Sequence, residues 1–211
     1  MAFDYSVVRD RKYYNIVQKP CKFLLKLALR IKCEGIENIP KKGSFILACN
    51  HIHFVDPAVL LAFFPRPIHF MAKEEAFKNK LAAWFLTHLN AFPVNRARSD
   101  KSSVDYAVKL IETGHVLGIF PEGTRSKDLK PQKAKAGVAL IARQTKADIL
   151  PASVYCEKKG GLFRKITVRF GEVIKYEELG LEDEAATRTL REATDKIMGE
   201  IVDLWEEGHC K

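Results

Sequence analysis

The sequence lacks most of the signatures that would assign its class at a glance. Its five cysteines (Cys21, Cys33, Cys49, Cys156 and Cys210) are scattered, odd in number, and form no C-x-x-C pair. That excludes a disulfide scaffold and a cysteine-based zinc site, and implies reduced thiols in a cytosolic setting. Residues 1–14, MAFDYSVVRDRKYY, contain no apolar core of the kind a signal peptide needs. No run approaches the roughly 18 apolar residues of a bilayer-spanning helix, so any membrane contact is expected from one face. There is no internal repeat, no low-complexity linker, no G-x-S-x-G and no cluster of metal ligands. The motifs of the usual DNA- and RNA-binding folds are also missing, which argues against nucleic acid as a partner.

What is present fits one globular domain. The chain has 211 residues, 47% of them hydrophobic and 29% charged, enough to bury a core and too apolar for disorder. A net charge of +9 favours an anionic partner, such as a phosphorylated substrate or an acidic lipid surface.

Residues 19–32, KPCKFLLKLALRIK, place Lys19, Lys22, Lys26 and Arg30 at three- and four-residue steps. On a helix they form a basic stripe, with leucines filling the rest. Pro20 suits the start of such a helix. A helix of this kind either lies in the lipid headgroup region or packs its leucines on the protein's own core. Beyond Gly35, short apolar runs (45–49, 68–72, 92–95, 116–120, 149–154, 166–170) read as strands. Apolar and amphipathic stretches (56–64, 74–89, 99–114, 133–146, 182–207) read as helices. Asp56-Pro57 is expected to be an N-cap followed by proline in the first turn. The alternation predicts an α/β domain whose site lies in the loops at the strand ends.

Three such loops carry the candidate chemistry. In residues 50–56, NHIHFVD, His51 leaves a strand and Asp56 lies five residues on. A carboxylate at that distance can hold one imidazole nitrogen while the other takes a proton from a hydroxyl. Taken alone, H-x4-D equally describes a loop histidine and a helix cap. His53 is a second candidate base, expected on the opposite side if the strand continues. In residues 120–126, FPEGTRS, Gly123 permits a tight turn, Thr124 and Ser126 offer hydroxyls, and Arg125 offers a fork suited to phosphate. Glu122 there would bind hydroxyls or hold the arginine. Arg96, leaving the short strand at 92–95, and Lys135, at a helix start, are further cations. Pro151 is expected to shape the wall of the site.

In this order and spacing, these segments resemble the glycerolipid acyltransferase family, in particular its bacterial 1-acyl-sn-glycerol-3-phosphate acyltransferases. Asn50-His51 with Asp56 resembles the family's N-H-x4-D motif, residues 94–96 its second, residues 120–126 its third, and the segment around Pro151 its fourth; Lys135-Ala136-Gly137 matches a common K-x-G. Two departures are His53, where a small polar residue is usual, and the loose fit of 94–96. Both leave the choice of acceptor open.

The resemblance implies an α/β acyltransferase domain over residues 35–211, with a mixed sheet flanked by helices, preceded by membrane-associating amphipathic helices within 1–34. It implies transfer of a fatty acyl group from a thioester to the free hydroxyl of 1-acyl-sn-glycerol-3-phosphate, giving phosphatidic acid. His51 would be the base and Asp56 its orienter, with Arg96, Glu122, Gly123, Thr124, Arg125 and Lys135 holding the glycerol phosphate. No metal and no organic cofactor are implied. The co-substrate would be an acyl thioester of acyl carrier protein or of coenzyme A, and the enzyme would sit peripherally on the cytoplasmic face of the membrane through residues 19–32. The alternatives are a different lysolipid acceptor, or a hydrolase of lipid thioesters or phosphoesters using the same histidine and aspartate.

Overall fold

The computed structural model describes residues 3–8, 14–95, 101–158, 160–161, 163–182 and 187–209. In chain order the elements are α1 (Tyr14–Ala28), β1 (Arg30–Glu34), β2 (Phe45–Cys49), α2 (Asp56–Phe63), β3 (Ile68–Lys73), α3 (Lys80–His88) and β4 (Phe92–Val94). There follow α4 (Lys101–Glu112), β5 (Val116–Ile119), α5 (Gly137–Thr145), β6 (Ile149–Tyr155), β7 (Lys165–Phe170) and α6 (Thr187–Glu206). The seven strands form one mixed sheet in the order β1-β7-β6-β2-β5-β3-β4. From β6 to β4 all neighbours are parallel; β7 runs antiparallel to β6, and β1 is parallel to β7. This is the α/β architecture expected, with helices on both faces.

The central strand shows why the sheet is covered twice. All five residues of β2 are buried. Phe45, Leu47 and Cys49 face α2, packing with Val59, Leu60 and Phe64. Ile46 and Ala48 face the other way, into a core built with Leu110, Ile141 and Ile197 of α4, α5 and α6. Each buried Leu, Ile or Phe contributes about 1.5–3 kcal/mol, so two apolar faces per strand require two helical layers.

The amino-terminal segment departs from expectation in two ways. The helix ends at Ala28, and Arg30–Glu34, expected within the helical segment, form an edge strand that pairs with β7. The strand alternates exposed Arg30, Lys32 and Glu34 with half-buried Ile31 and Cys33, a period of two that the helical spacing of the basic residues masks. Pro20 lies inside α1 rather than at its start. There it is exposed. The helix both packs and exposes apolar residues. Leu25 and Ala28 lie on the core beside α2, whereas Ile16, Phe23, Leu24 and Leu27 are each more than 60% exposed. Among the described residues no helix is long and apolar enough to cross a membrane. Pro151, expected in the wall of the site, stands within β6 opposite Ala48, where its carbonyl accepts from the Gly171 N–H.

Candidate active site

His51 owes its position to the residue before it. Asn50 ends β2 fully buried, and its side-chain amide pairs with β6 as a peptide would. Nδ2 donates to the Val154 carbonyl at 3.0 Å, and Oδ1 accepts from the Val154 N–H at 2.7 Å. The ladder is thus extended by a side chain, and the main chain is free to turn out of the sheet at His51.

The backbone of His51 is then gripped on both sides by the 120–126 loop. Its N–H donates to Glu122 Oε1 at 3.0 Å, and its carbonyl accepts from the Ser126 N–H at 2.7 Å. The imidazole Nδ1 lies 2.8 Å from Asp56 Oδ2, with 13% of the His51 side chain exposed and 1% of the Asp56 side chain. The opposite edge of the ring, carrying Nε2, is the one left for a substrate. One face of the ring stacks on Phe120 (centroids 4.2 Å apart, planes at 21°), and Phe120 stacks in turn on Phe70 (5.6 Å, 10°). Phe70 occupies space that only a glycine leaves: a Cβ at Gly118 would stand 2.5 Å from its ring. The sequence reading missed this row of rings, because its members come from segments far apart in the chain, the loops after β2 and β5 and the interior of β3.

Asp56 is not a helix cap. Val55 takes that position, and Asp56 opens the first turn beside Pro57. Its Oδ2 accepts from the N–H groups of Ile52 and His53, at 2.8 and 2.7 Å, besides meeting His51. The carboxylate therefore shapes the loop that carries the histidine instead of the helix that follows. His53 is turned elsewhere. The Arg164 guanidinium lies along its ring, with 3.1 Å between each of two nitrogen pairs. The His53 backbone N–H reaches Asp56.

Glu122 is buried at 2% exposure. Burial pushes its carboxyl up to about 7, against the pull of the N–H groups of His51 and Gln132. Its Oε1 serves the His51 backbone and its Oε2 is buried with no hydrogen-bond partner. Glu122 thus fastens the histidine's backbone and does not pair with Arg125. Gly123 turns with φ of 69°, and the alkyl stem of Lys135 passes over it, 3.3 Å from where a Cβ would be. The Lys135 N–H donates to the Pro121 carbonyl at 2.9 Å. Thr124, Arg125 and Lys135 are exposed along this turn. Ser126, read as a possible hydroxyl ligand, is buried and donates to Asp128 Oδ1 at 2.7 Å. Arg96 lies outside the described residues.

Behind Asp56 the side chains of Ile52, Leu129, Val154 and Ile166 close around a cleft with no room for a water molecule, with Lys158 and Arg164 at its edge. The arrangement as a whole joins a histidine backed by a buried carboxylate and a basic turn beside it. It has what is needed to deprotonate a hydroxyl on an anionic molecule.

Comparison with known proteins agrees with that chemistry. A family model described as Acyltransferase matches residues 30–155, the stretch that carries both His51 and the 120–126 turn. A 1-acyl-sn-glycerol-3-phosphate acyltransferase of Bacillus subtilis (strain 168) is 32% identical over 197 residues, covering 87% of this chain and 98% of its own. One from Streptococcus pneumoniae is 29% identical and is matched over 96% of this chain and 76% of its own. The crystal structure of the 1-acyl-sn-glycerophosphate (LPA) acyltransferase PlsC from Thermotoga maritima superposes with a TM-score of 0.71, at 27% identity over 98% of this chain and 87% of that one. Likeness over nearly the whole length, together with the match across the histidine and the basic turn, places this chain in the acyltransferase family.

Proposed function

We propose that this acyltransferase moves a fatty acyl group from an acyl thioester to the free hydroxyl of 1-acyl-sn-glycerol-3-phosphate, giving phosphatidic acid for phospholipid synthesis. The observation that carries the reading is the 2.8 Å contact between His51 Nδ1 and the buried Asp56, beside the exposed Arg125 and Lys135. The relatives' names supply the acceptor.

In this mechanism the His51 Nδ1–H is held by Asp56, so Nε2 is the basic nitrogen. Nε2 takes the proton of the lysolipid hydroxyl as its oxygen attacks the thioester carbonyl. When the tetrahedral intermediate collapses, the C–S bond breaks and the proton passes from Nε2 to the departing thiolate. Asp56 orients the ring and stabilises the imidazolium between these steps. Arg125, Lys135 and Arg96 hold the phosphate, and Gly123 and Thr124 shape the turn around the glycerol. Glu122 holds the His51 backbone. No metal or organic cofactor takes part, and the donor is a thioester of acyl carrier protein or coenzyme A.

The enzyme works peripherally on the cytoplasmic face of the membrane. The exposed Phe23, Leu24 and Leu27 of α1, together with the exposed Lys19 and Lys26, support a helix lying in an anionic headgroup layer. The four described cysteines, all thiols, are in keeping with the reducing side.

The test is an assay in mixed micelles with 1-acylglycerol-3-phosphate and an acyl thioester, comparing the native enzyme with His51→Ala. Phosphatidic acid from the native enzyme alone is the expected result. Product from a different lysolipid only would replace the acceptor; thioester cleavage that needs no acceptor would replace transfer by hydrolysis.

A further inference from the structure

Helix α3 has the composition of a buried helix and the surroundings of an exposed one. Its sequence, KLAAWFLTH, matches α2 in apolar content, yet none of its nine residues is buried, whereas α2 buries Val59, Leu60, Leu61 and Ala62. The helix is well formed: Asn79 Oδ1 caps it, accepting from the N–H groups of Leu81 and Ala82. Leu81, Trp84 and Phe85 line one side at helical spacing and are 75%, 58% and 47% exposed. His88, one turn on, lies against the Trp84 ring at 4.2 Å. Three large apolar side chains left in water at adjacent positions form a patch that calls for an occupant.

The position of the helix says which. Leu89, at its carboxyl end, packs with Leu61 of α2 and Tyr14 of α1, and Val17 of α1 joins them. Helix α1 and the carboxyl end of α3 therefore meet α2 in one small apolar cluster, and both helices turn apolar residues outward. Lys78, just ahead of α3, and Lys80, its first residue, stand exposed, as Lys19 and Lys26 do on α1, while the nearby Glu75 is paired with Lys73. An indole and a phenyl ring rimmed by lysines suit an interface with an apolar interior and anionic headgroups.

We propose that α3 is a second bilayer-contacting element, whose Leu81, Trp84 and Phe85 enter the headgroup region of an anionic lipid surface alongside α1. This rests on the reading of α1 as a lipid-contacting helix. The two contacts together fix the roll of the protein on the surface, which one helix alone leaves open.

The chain has two tryptophans, so Trp205→Phe leaves Trp84 as the sole indole reporter. The probe is a vesicle of phosphatidylcholine and phosphatidylglycerol, with brominated phosphatidylcholine as quencher. Trp84 emission is expected to shift to the blue and to be quenched by the brominated lipid. Leu81→Ser/Trp84→Ser/Phe85→Ser, with circular dichroism unchanged, is expected to lower vesicle partitioning at least about tenfold. A protein that sediments with vesicles while Trp84 is neither shifted nor quenched overturns the role of α3 and leaves that of α1 standing. Failure to sediment at all overturns both. A blue shift produced by acyl carrier protein or by self-association in the absence of lipid, with none from vesicles, assigns the patch to a protein partner and overturns the lipid contact.

Discussion

The imidazole of His51 rests on the ring of Phe120, 4.2 Å away and nearly parallel to it. Asp56 fixes one edge of the histidine and Phe120 one face, so two independent contacts set the direction of Nε2. Phe120→Leu keeps the apolar volume and loses the flat support. The expected outcome is a fall in kcat of about tenfold with KM for both substrates nearly unchanged, because a misdirected base costs rate and not binding. Gly118→Ala, which drives a methyl into the Phe70 ring behind Phe120, is expected to lower both kcat and Tm. Steady-state kinetics and thermal unfolding check the pair.

Replacing Asp56 by asparagine leaves the shape and removes the carboxylate. It is expected to cut kcat by about a thousandfold or more, as the imidazole loses its tautomer and the imidazolium its partner. Asp56→Ala adds a stability loss, since the N–H groups of Ile52 and His53 lose their acceptor too. Activity and denaturant titrations separate the two variants.

Asn50 makes two hydrogen bonds to Val154 from a fully buried site. Asn50→Ala is expected to cost about 2–4 kcal/mol, because it strands a buried donor and a buried acceptor on β6. Asn50→Asp is expected to be as harmful, since a carboxylate offers no donor to the Val154 carbonyl. Urea unfolding measures both.

Glu122 makes stability fall as pH rises. Its folded value, about 7, lies above the ordinary 4.5. Below pH 4.5 the side chain is protonated in folded and unfolded chains alike, and its full contribution is present. Between 4.5 and 7 the unfolded chain releases the proton first and stability is lost; above 7 the loss is complete, at about 3 kcal/mol. Glu122→Gln keeps an acceptor for the His51 N–H and carries no charge. Its stability relative to the native enzyme is expected to be higher at pH 8 than at pH 5, as read by denaturant titration at the two values.

Arg125 is exposed on the turn beside the histidine. Arg125→Ala is expected to raise KM for a phosphorylated acceptor about tenfold or more, with less effect on the thioester KM. Arg125→Lys is expected to recover only part of the loss, since an ammonium cannot form the planar fork. Added salt should narrow the gap between native and variant.

The parts of this fold that depend on neighbours in sequence were readable in advance; those that depend on distant neighbours were not. Strands β2, β5 and β6 are continuous apolar runs between turns, and that pattern has one physical meaning. Strand β1 was hidden because Arg30 completes the helical spacing of Lys19, Lys22 and Lys26, so a period of two was overwritten by a period of four. His51, Asp56 and the 120–126 turn could be named as candidates from residue type and spacing. The pair of hydrogen bonds between Asn50 and Val154 spans 104 residues, and nothing local marks it. Helix α3 shows the limit of periodicity: it marks which side of a helix is apolar, not whether the protein itself covers that side.

Between the last residue of α1 and the first of β1 there is only Leu29, and it is buried. The Phe163 N–H also donates to the Ala28 carbonyl at 2.7 Å, next to the arginine that lies along His53. The amino-terminal helix is therefore bolted to the catalytic body and is not leashed to it. If α1 lies in the headgroup layer, the reactive imidazole travels at a set altitude above the lipid, and the lysolipid meets it without leaving the interface. Lengthening the joint at Leu29 by a few glycines would turn a fixed working height into a variable one. Turnover on vesicles would then suffer while turnover on a dispersed, short-chain acceptor would not.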